Sequence, residues 1–273
     1  MTIKRLAAGS AGVLFLFLIS GCAHGPLTPN PPQQVNSVVS AAYIRTQAAG
    51  TVASRIQVVI RSGTDPVTGA EGNATLNFPH GTAEANLTLT PGGPMTVVST
   101  HKYLYEGHPA AKPARGMQWI KVDLSRNAKK DPAQLPQIQA PGLDPFQLPT
   151  LLDAVKWPAA ISGERPVLIA GSTGQHTDYE ITVDTAKLSP LLPQEKRAWL
   201  AEMARESKGN AVTLEVTVEN GRINSITGDV PVPSPSLHQV RKPGQVPAIP
   251  RLHALITMQF DYGKRGGVIT VPG

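Results

Sequence analysis

The sequence predicts an α+β fold built around a large antiparallel β-sheet. Long stretches alternate apolar with polar residues, as a strand with one buried face does, and Gly, Pro, Asn or Asp separate these stretches. Only 5% of the residues are aromatic, whereas Gly (25) and Pro (26) are abundant, which suits many strands joined by turns. A few short segments have helical periodicity instead. These helices and the sheet must pack as two layers around one core.

The N-terminus predicts export and attachment to a membrane. Lys4 and Arg5 precede an apolar run of about fifteen residues, which is short of the roughly twenty needed to span a bilayer. Residues 18–22 (Leu-Ile-Ser-Gly-Cys) resemble the lipobox of bacterial lipoproteins, which predicts a signal peptide over residues 1–21 and a diacylglycerol thioether on Cys22. Two or three acyl chains hold a protein stably on a membrane. An uncleaved anchor and a plain secreted protein are the alternatives.

A tether and one helix are expected next. Residues 22–35 are rich in proline and lack periodicity, which favours a semi-extended tether. Residues 36–49 predict a helix that ends at Gly50, and its apolar face contains Val38, Val39, Ala42 and Tyr43. We therefore expect a single folded domain over residues 36–273.

Four alternating strands are predicted after this helix, over residues 52–61, 70–78, 83–90 and 95–100, and Asp65-Pro66 and Gly69 predict the first turn between them. We expect them to form an antiparallel meander with one solvent-exposed and one buried face. The inward positions of the second and third strands are mostly Ala and Leu. Two interpretations stay open: helices pack closely against these small side chains, or the side chains line a cavity on the concave face of a curved sheet.

The rest of the chain predicts further strands, two helices and two long loops. The strands are expected over residues 103–106, 117–124, 165–170, 176–184, 211–219, 222–228, 252–262 and 268–271, and Asn220-Gly221 is the strongest short hairpin signal. After Asp144-Pro145, four apolar residues fall at helical spacing, namely Leu148, Leu151, Leu152 and Val155. A second helix is expected over 193–206. Pro-rich loops are expected at 125–143 and 230–251.

Several loose motifs, spread over nearly the whole mature chain, point to a known family by their order. They are residues 103–105 and 119–121, Asp144-Pro145 with Leu151-Leu152, and residues 174–184, 216–223, 260–263 and 268–272. This order resembles that of the LppX/LprG family, actinobacterial lipoproteins of the wider LolA-like superfamily. The chain departs from the family in two places. The usual aromatic residue is absent at 216–219, and residues 230–251 are longer than expected.

The resemblance implies an unclosed antiparallel half-barrel whose concave face is covered by a few helices, with an apolar cavity between the two layers. Known members of the family carry or present lipids, including acylated glycolipids. The resemblance therefore implies a lipid or an acylated glycolipid as the ligand of this chain.

Catalytic and cofactor chemistry has no support in the sequence. No spacing typical of a zinc protease, serine hydrolase, phosphate-binding loop or EF-hand occurs, and Gly171–Gly174 is better explained as a turn than as an anion cradle. The seven histidines are scattered, and the lipobox uses the one cysteine. We therefore expect no enzyme, metal or cofactor. A net charge of +6 without clustered cations and aromatics also excludes a nucleic-acid footprint.

Two functions from different classes remain. The first is a monomeric lipoprotein, anchored on the extracytoplasmic side of the cell membrane or outer envelope, that binds a lipid for transport or presentation. The alternative is a non-enzymatic envelope interaction or sensor protein that binds a protein partner through its Pro-rich loops. The candidates for lining the cavity are Val39, Ile56, Val58, Leu76, Leu87, Leu89, Leu151, Leu152, Leu214, Val216, Ile256 and Met258. The candidates for contacting a lipid headgroup at the rim are Lys129, Lys130, Arg241 and Lys242.

Overall fold

The computed structural model describes residues 32–109, 116–123, 144–167, 176–193, 196–197, 200, 211–232 and 252–272. Three α-helices have described bounds: α1 (Pro32–Ala48), α2 (Gln147–Leu152) and α3 (Thr185–Leu188). Of the helix predicted over 193–206, the structure describes Pro193, Lys196, Arg197 and Leu200, and the last three are helical. The strands are β1 (Thr51–Ser62), β2 (Asp65–Asn77), β3 (Thr82–Thr90), β4 (Gly93–Ser99), β5 (Tyr103–Pro109), β6 (Met117–Asp123), β7 (Ile161–Val167), β8 (His176–Asp184), β9 (Ala211–Glu219), β10 (Arg222–Val232) and β11 (Leu252–Arg265).

All these strands join one antiparallel sheet in the order β6-β5-β4-β3-β2-β1-β11-β10-β9-β8-β7. Each half of the chain is therefore a meander, and the first strand pairs with the last at the centre of the sheet. The strands β6 and β7 occupy its two opposite edges, so the sheet does not close into a barrel. The predicted fold class, a large unclosed antiparallel sheet with few helices, is confirmed.

Most strands of the sheet have one buried and one exposed face, as the predicted alternation requires. The strands β5 and β6 do not alternate, because residues 104–107 are all buried and residues 117–121 are all exposed. In β3, Ala83, Ala85 and Leu87 are buried, whereas Thr88 is exposed on the other face. The turn between β9 and β10 confirms the hairpin signal. Asn220 and Gly221 have φ values of 50° and 70°, as a two-residue turn that follows the twist of the strands requires.

Some predicted bounds were wrong in the first half of the domain and at β7. The helix α1 begins at Pro32, inside the predicted tether 22–35, because proline is tolerated in a first helical turn whose N–H groups are unpaired anyway. The first turn lies at Gly63, which has a φ of 64°, so Asp65 and Gly69 are already in β2. The strand β7 begins at Ile161, four residues before the predicted start at 165.

The predicted strand over residues 268–271 was also wrong. The strand β11 continues to Arg265, and residues 266–272 have no regular structure. A strand at 268–271 would need a free edge next to β11, but β1 and β10 already pair with the two edges of β11. Val268 is consequently 94% exposed.

One apolar core lies between the inward face of the sheet and the helices. The helices pack mainly against the half of the sheet formed by β7 to β10. The residues predicted to form the face of the helix after Asp144-Pro145, namely Leu148, Leu151, Leu152 and Val155, are all buried there. Their segment is shorter and tighter than a regular helix, because a 3₁₀ turn over Asp153–Lys156 follows α2 directly.

Candidate functional site

The residues predicted to line a cavity all lie in the interior between sheet and helices. Eleven of the twelve are buried members of the core, and the remaining one, Leu89, is partly buried and packs against it. None of the eleven is more than 3% exposed. Side chains buried to this degree contact other protein atoms on all sides, so a ligand could reach them only if the layer that covers the sheet moved away.

Strand pairing brings seven of the nine predicted residues of the sheet together in two rows, and Leu76 and Val216 lie beside them on β2 and β9. In the first row, Leu87 lies opposite Gly72, which lies opposite Ile56, which in turn lies opposite Met258. The second row runs from Leu89 through Ala70 and Val58 to Ile256 and then, across Gly228, to Leu214. Val39, Leu151 and Leu152 reach the same core from α1 and α2.

The inward face of the first sheet half carries unusually small side chains. Ala70, Ala74, Ala83 and Ala85 are all at most 6% exposed, and they lie on the neighbouring strands β2 and β3. Alanine side chains are short, so the space between this part of the sheet and the layer above it depends on which side chains that layer contributes. The main helix contacts involve the other half of the sheet, β7 to β10.

A buried hydrogen-bond network fixes α1 to the sheet. The hydroxyl of Thr46, which is 0% exposed, accepts a hydrogen bond from the Ile223 N–H at 3.0 Å and lies 2.9 Å from the Tyr262 hydroxyl. Tyr262 in turn donates to the carbonyl oxygen of Ile223. We call these three residues the α1 clamp. It gives a structural role to Tyr262, which belongs to one of the motifs that carry the family resemblance.

A second contact joins α1 to α2. The Tyr43 hydroxyl donates to the carbonyl oxygen of Pro149 at 2.7 Å, and the ammonium of Lys156 lies 5.3 Å from the centre of the Tyr43 ring. Burial raises the pKa of Tyr43 well above its ordinary value, and the nearby Asp153 carboxylate raises it further. The phenol therefore stays neutral and acts as a donor. The Tyr43 contact therefore attaches α1 to α2, and the α1 clamp attaches it to β10 and β11.

The interior also contains polar groups that sequence reasoning missed. The Ser54 hydroxyl and the Gln147 side-chain oxygen are buried, and neither has a hydrogen-bond partner among the described residues. An unsatisfied buried oxygen costs about 1–3 kcal/mol, so native proteins contain few of them. Ser54 sits at an inward position of the alternating strand β1. That position was visible in the sequence as a polar residue where the pattern requires an apolar one.

An aromatic cluster connects these two oxygens. Phe260, the cross-strand neighbour of Ser54, lies 6.5 Å from the ring of Phe78 between centroids, and Phe78 meets Phe146 edge-on at 6.0 Å. Phe146 directly precedes Gln147. Ser54 and Gln147 are therefore both next to members of one aromatic cluster, Ser54 across the pair of strands and Gln147 along the chain.

Asp144 adds an ionisable group at this end of the interior. Burial raises the pKa of the Asp144 carboxyl, and hydrogen bonds from the Phe146 N–H at 2.9 Å and from the Ser99 hydroxyl partly offset this effect. The Asp-Pro motif thus positions the start of α2 against β4. Its carboxylate is a capping group with raised proton affinity.

The remaining predicted site residues lie outside the described ranges. These are Cys22 with its signal segment, the rim candidates Lys129, Lys130, Arg241 and Lys242, and the turn at Gly171–Gly174. In the part of the chain that is described, no helix is long and apolar enough to cross a membrane. The same residues contain no group of three or more His, Cys, Asp or Glu side chains that could hold a metal ion.

Comparison with known proteins finds similarity at the level of three-dimensional structure only. No family profile and no curated protein sequence matches the chain. Similar solved structures include LprF from Mycobacterium bovis, with 13% identity, a TM-score of 0.40, and coverage of 89% of this chain and 98% of that chain. Lipoprotein LppX from Mycobacterium tuberculosis has 10% identity, a TM-score of 0.43, and coverage of 89% and 100%. A LolA superfamily protein from Nitrosomonas europaea has 8% identity, a TM-score of 0.32, and coverage of 87% and 94%.

LppX and the LolA superfamily are also the names in the family resemblance of the sequence. The likeness concerns the fold alone. The assignment of the fold class rests on the strand order and on the open edges of the sheet itself.

Proposed function

We propose that this chain is an envelope lipoprotein, anchored through Cys22 on the extracytoplasmic side, that holds the acyl chains of a lipid between its sheet and its helices. An acylated glycolipid is the ligand that the family resemblance favours. The chain would carry or present this lipid and would catalyse no reaction. The residues that would contact the acyl chains are the twelve interior residues predicted from the sequence.

The observation that carries this proposal is the pair of unsatisfied oxygens beside the aromatic cluster. The Ser54 hydroxyl can donate to an ester carbonyl, and the Gln147 oxygen can accept from a lipid hydroxyl or amide. Both polar atoms lie in an otherwise apolar interior, so a ligand that suits them must be mostly apolar with a few hydrogen-bonding groups. An acylated lipid has this chemistry.

The energetics favour binding if the two layers can separate. Relative to water, each methylene buried in the interior contributes about 0.8 kcal/mol, and the apolar side chains of the parted layers contact the acyl chains in place of one another. The alanines of β2 and β3 leave the most room in their half of the interior, because each alanine offers only one methyl group to the layer above it. The proposal therefore places the acyl chains along the two rows of inward side chains, with the most room over β2 and β3.

The test is uptake of a pyrene-labelled diacyl phospholipid from vesicles by the full chain. Leu87→Trp and Ile256→Trp each add a large ring to one row of inward side chains, and we expect uptake to fall at least about tenfold, a cost of about 1.4 kcal/mol. Val67→Trp is the matched control, because Val67 is 56% exposed on β2. Circular dichroism and thermal unfolding show whether each variant folds.

Two results would contradict the proposal. One is uptake by folded Leu87→Trp and Ile256→Trp proteins at the level of the control. The other is the absence of uptake by the unmodified chain, which is what the alternative predicts, a scaffold with a filled interior that binds a protein partner.

A further inference from the structure

A groove on the opposite, polar face of the sheet is independent of the lipid proposal. Its volume is about 960 Å³, and it lies over β3, β2, β1 and β11. Most of its lining comes from the outward positions of these strands, where nearly all side chains can donate or accept hydrogen bonds. They include Arg55, Asn73, Thr75, Asn86, Thr88 and Gln259.

The central residues of the groove form one row across four neighbouring strands. Asn86 lies opposite Asn73, Asn73 opposite Arg55, and Arg55 opposite Gln259. Because strands are about 4.8 Å apart, the row presents an amide, an amide, a guanidinium and an amide over about 14 Å. Each amide offers two N–H donors and one carbonyl acceptor. The strands hold the backbone of these residues rigidly, so the spacing of the row is fixed before any ligand binds.

The segment after β11 forms a wall of the groove. Gly266 and Gly267 line it, and a β-carbon at Gly266 would lie 2.6 Å from the methyl groups of both Thr51 and Thr75. Only glycine allows the chain to lie this close to the outer face of β1 and β2. The groove is therefore bounded on one side by backbone, which turns a flat polar sheet face into a concave site.

The groove is lined by two cations and three carboxylates, so it has no positive charge left over. Arg55 lies 3.9 Å from Glu71, Lys264 lies 3.5 Å from Asp261, and Glu84 accepts a hydrogen bond from Asn86 at 3.2 Å. No excess of cations among these described residues favours an anion. The lining is also too polar for an acyl chain. A neutral ligand rich in hydroxyl groups fits this set of donors and acceptors.

A peptide fits the groove less well than a sugar chain. The strands β1, β2, β3 and β11 are all internal, with both edges paired, so no backbone groups are free for a peptide to join the sheet as a further strand. Recognition depends on side-chain amides, hydroxyls and charged groups, which match the closely spaced hydroxyls of pyranose rings. We propose that this groove binds a neutral oligosaccharide along the row from Asn86 to Gln259.

The experiment is calorimetric titration of the full chain with maltopentaose, cellopentaose and mannopentaose, and with a neutral Ser/Gly/Asn peptide. We expect saturable binding of at least one of the three sugars and none of the peptide. Asn73→Ala and Gln259→Ala should each weaken sugar binding about fivefold or more, because each removes hydrogen bonds to the ligand. Gln57→Ala is the matched control, since Gln57 is exposed on the same face of β1 but does not line the groove.

The proposal is overturned if none of the three sugars binds, if the peptide binds in their place, or if Gln57→Ala weakens sugar binding as much as Gln259→Ala does. Lipid uptake serves as an independent check on folding. It should be the same for Asn73→Ala and Gln259→Ala as for the unmodified chain, because these side chains point away from the interior.

Discussion

Replacing Thr46 by valine should destabilise the domain more than any comparable change on the surface of the sheet. Valine has nearly the same shape, so packing is kept, but the Ile223 N–H loses the acceptor that lies 3.0 Å away at a position that is 0% exposed. A buried donor left without a partner costs about 1–3 kcal/mol, and the Tyr262 hydroxyl also loses a neighbour. We therefore expect the free energy of unfolding to fall by about 2–3 kcal/mol.

Urea and thermal unfolding of the Thr46→Val protein measure this loss. A domain of this size loses about 2–4 °C in Tm per kcal/mol, so Tm should fall by about 4–12 °C. Thr227→Val is the control, because the Thr227 hydroxyl bonds to that of Thr257, at 3.3 Å on the outer face, and its loss should cost at most about 0.5 kcal/mol. Tyr262→Phe should be non-additive with Thr46→Val. A Thr46→Val protein within about 0.5 kcal/mol of the unmodified chain would refute the clamp.

Two further predictions concern β2 and the segment before α2. Gly72→Ala should destabilise the fold by about 3 kcal/mol or more in urea unfolding, because its β-carbon would lie 2.0 Å from the Asn86 carbonyl oxygen. Gly267→Ala is the control and should be neutral, because its β-carbon would meet nothing within 4 Å, and equal stability of the two variants would contradict the prediction. Asp144→Asn should flatten the pH dependence of stability. Burial raises the pKa of Asp144, so its contribution is present below the ordinary carboxyl pKa and is lost as pH rises through the raised value. Unfolding curves of Asp144→Asn that keep the full decline above about pH 4 would contradict the raised pKa.

Local patterns in the sequence predicted most strands correctly because most strands have one buried face. The alternation of Ala83, Ala85 and Leu87 with polar residues appears in the structure as predicted, and Asn220-Gly221 makes the expected turn. The resemblance to a known family added the open sheet. Such patterns involve only residues close in sequence. They are enough to predict a strand whose two faces differ in burial, because the alternation of its own residues shows that difference.

Features that depend on pairing between distant residues could not be predicted. The strand expected over residues 268–271 failed because β1 occupies the edge of β11, which is a contact between the two ends of the domain. The row from Asn86 to Gln259 depends on the register of four strands in the same way. The unsatisfied hydroxyl of Ser54 could have been noticed in the sequence. Its position beside Phe260, Phe78 and Phe146 could not, because three separate segments form that cluster.

The proposal that an acyl lipid binds between sheet and helices is tested most directly by native mass spectrometry of the lipidated chain purified from its own host. Comparison of native and denatured masses separates bound lipid from the acyl groups on Cys22. We predict that the native protein carries an additional lipid mass and that the Leu87→Trp protein, purified in the same way, does not. The proposal would be contradicted if the native mass equalled the denatured mass and the protein also took up no pyrene-labelled phospholipid.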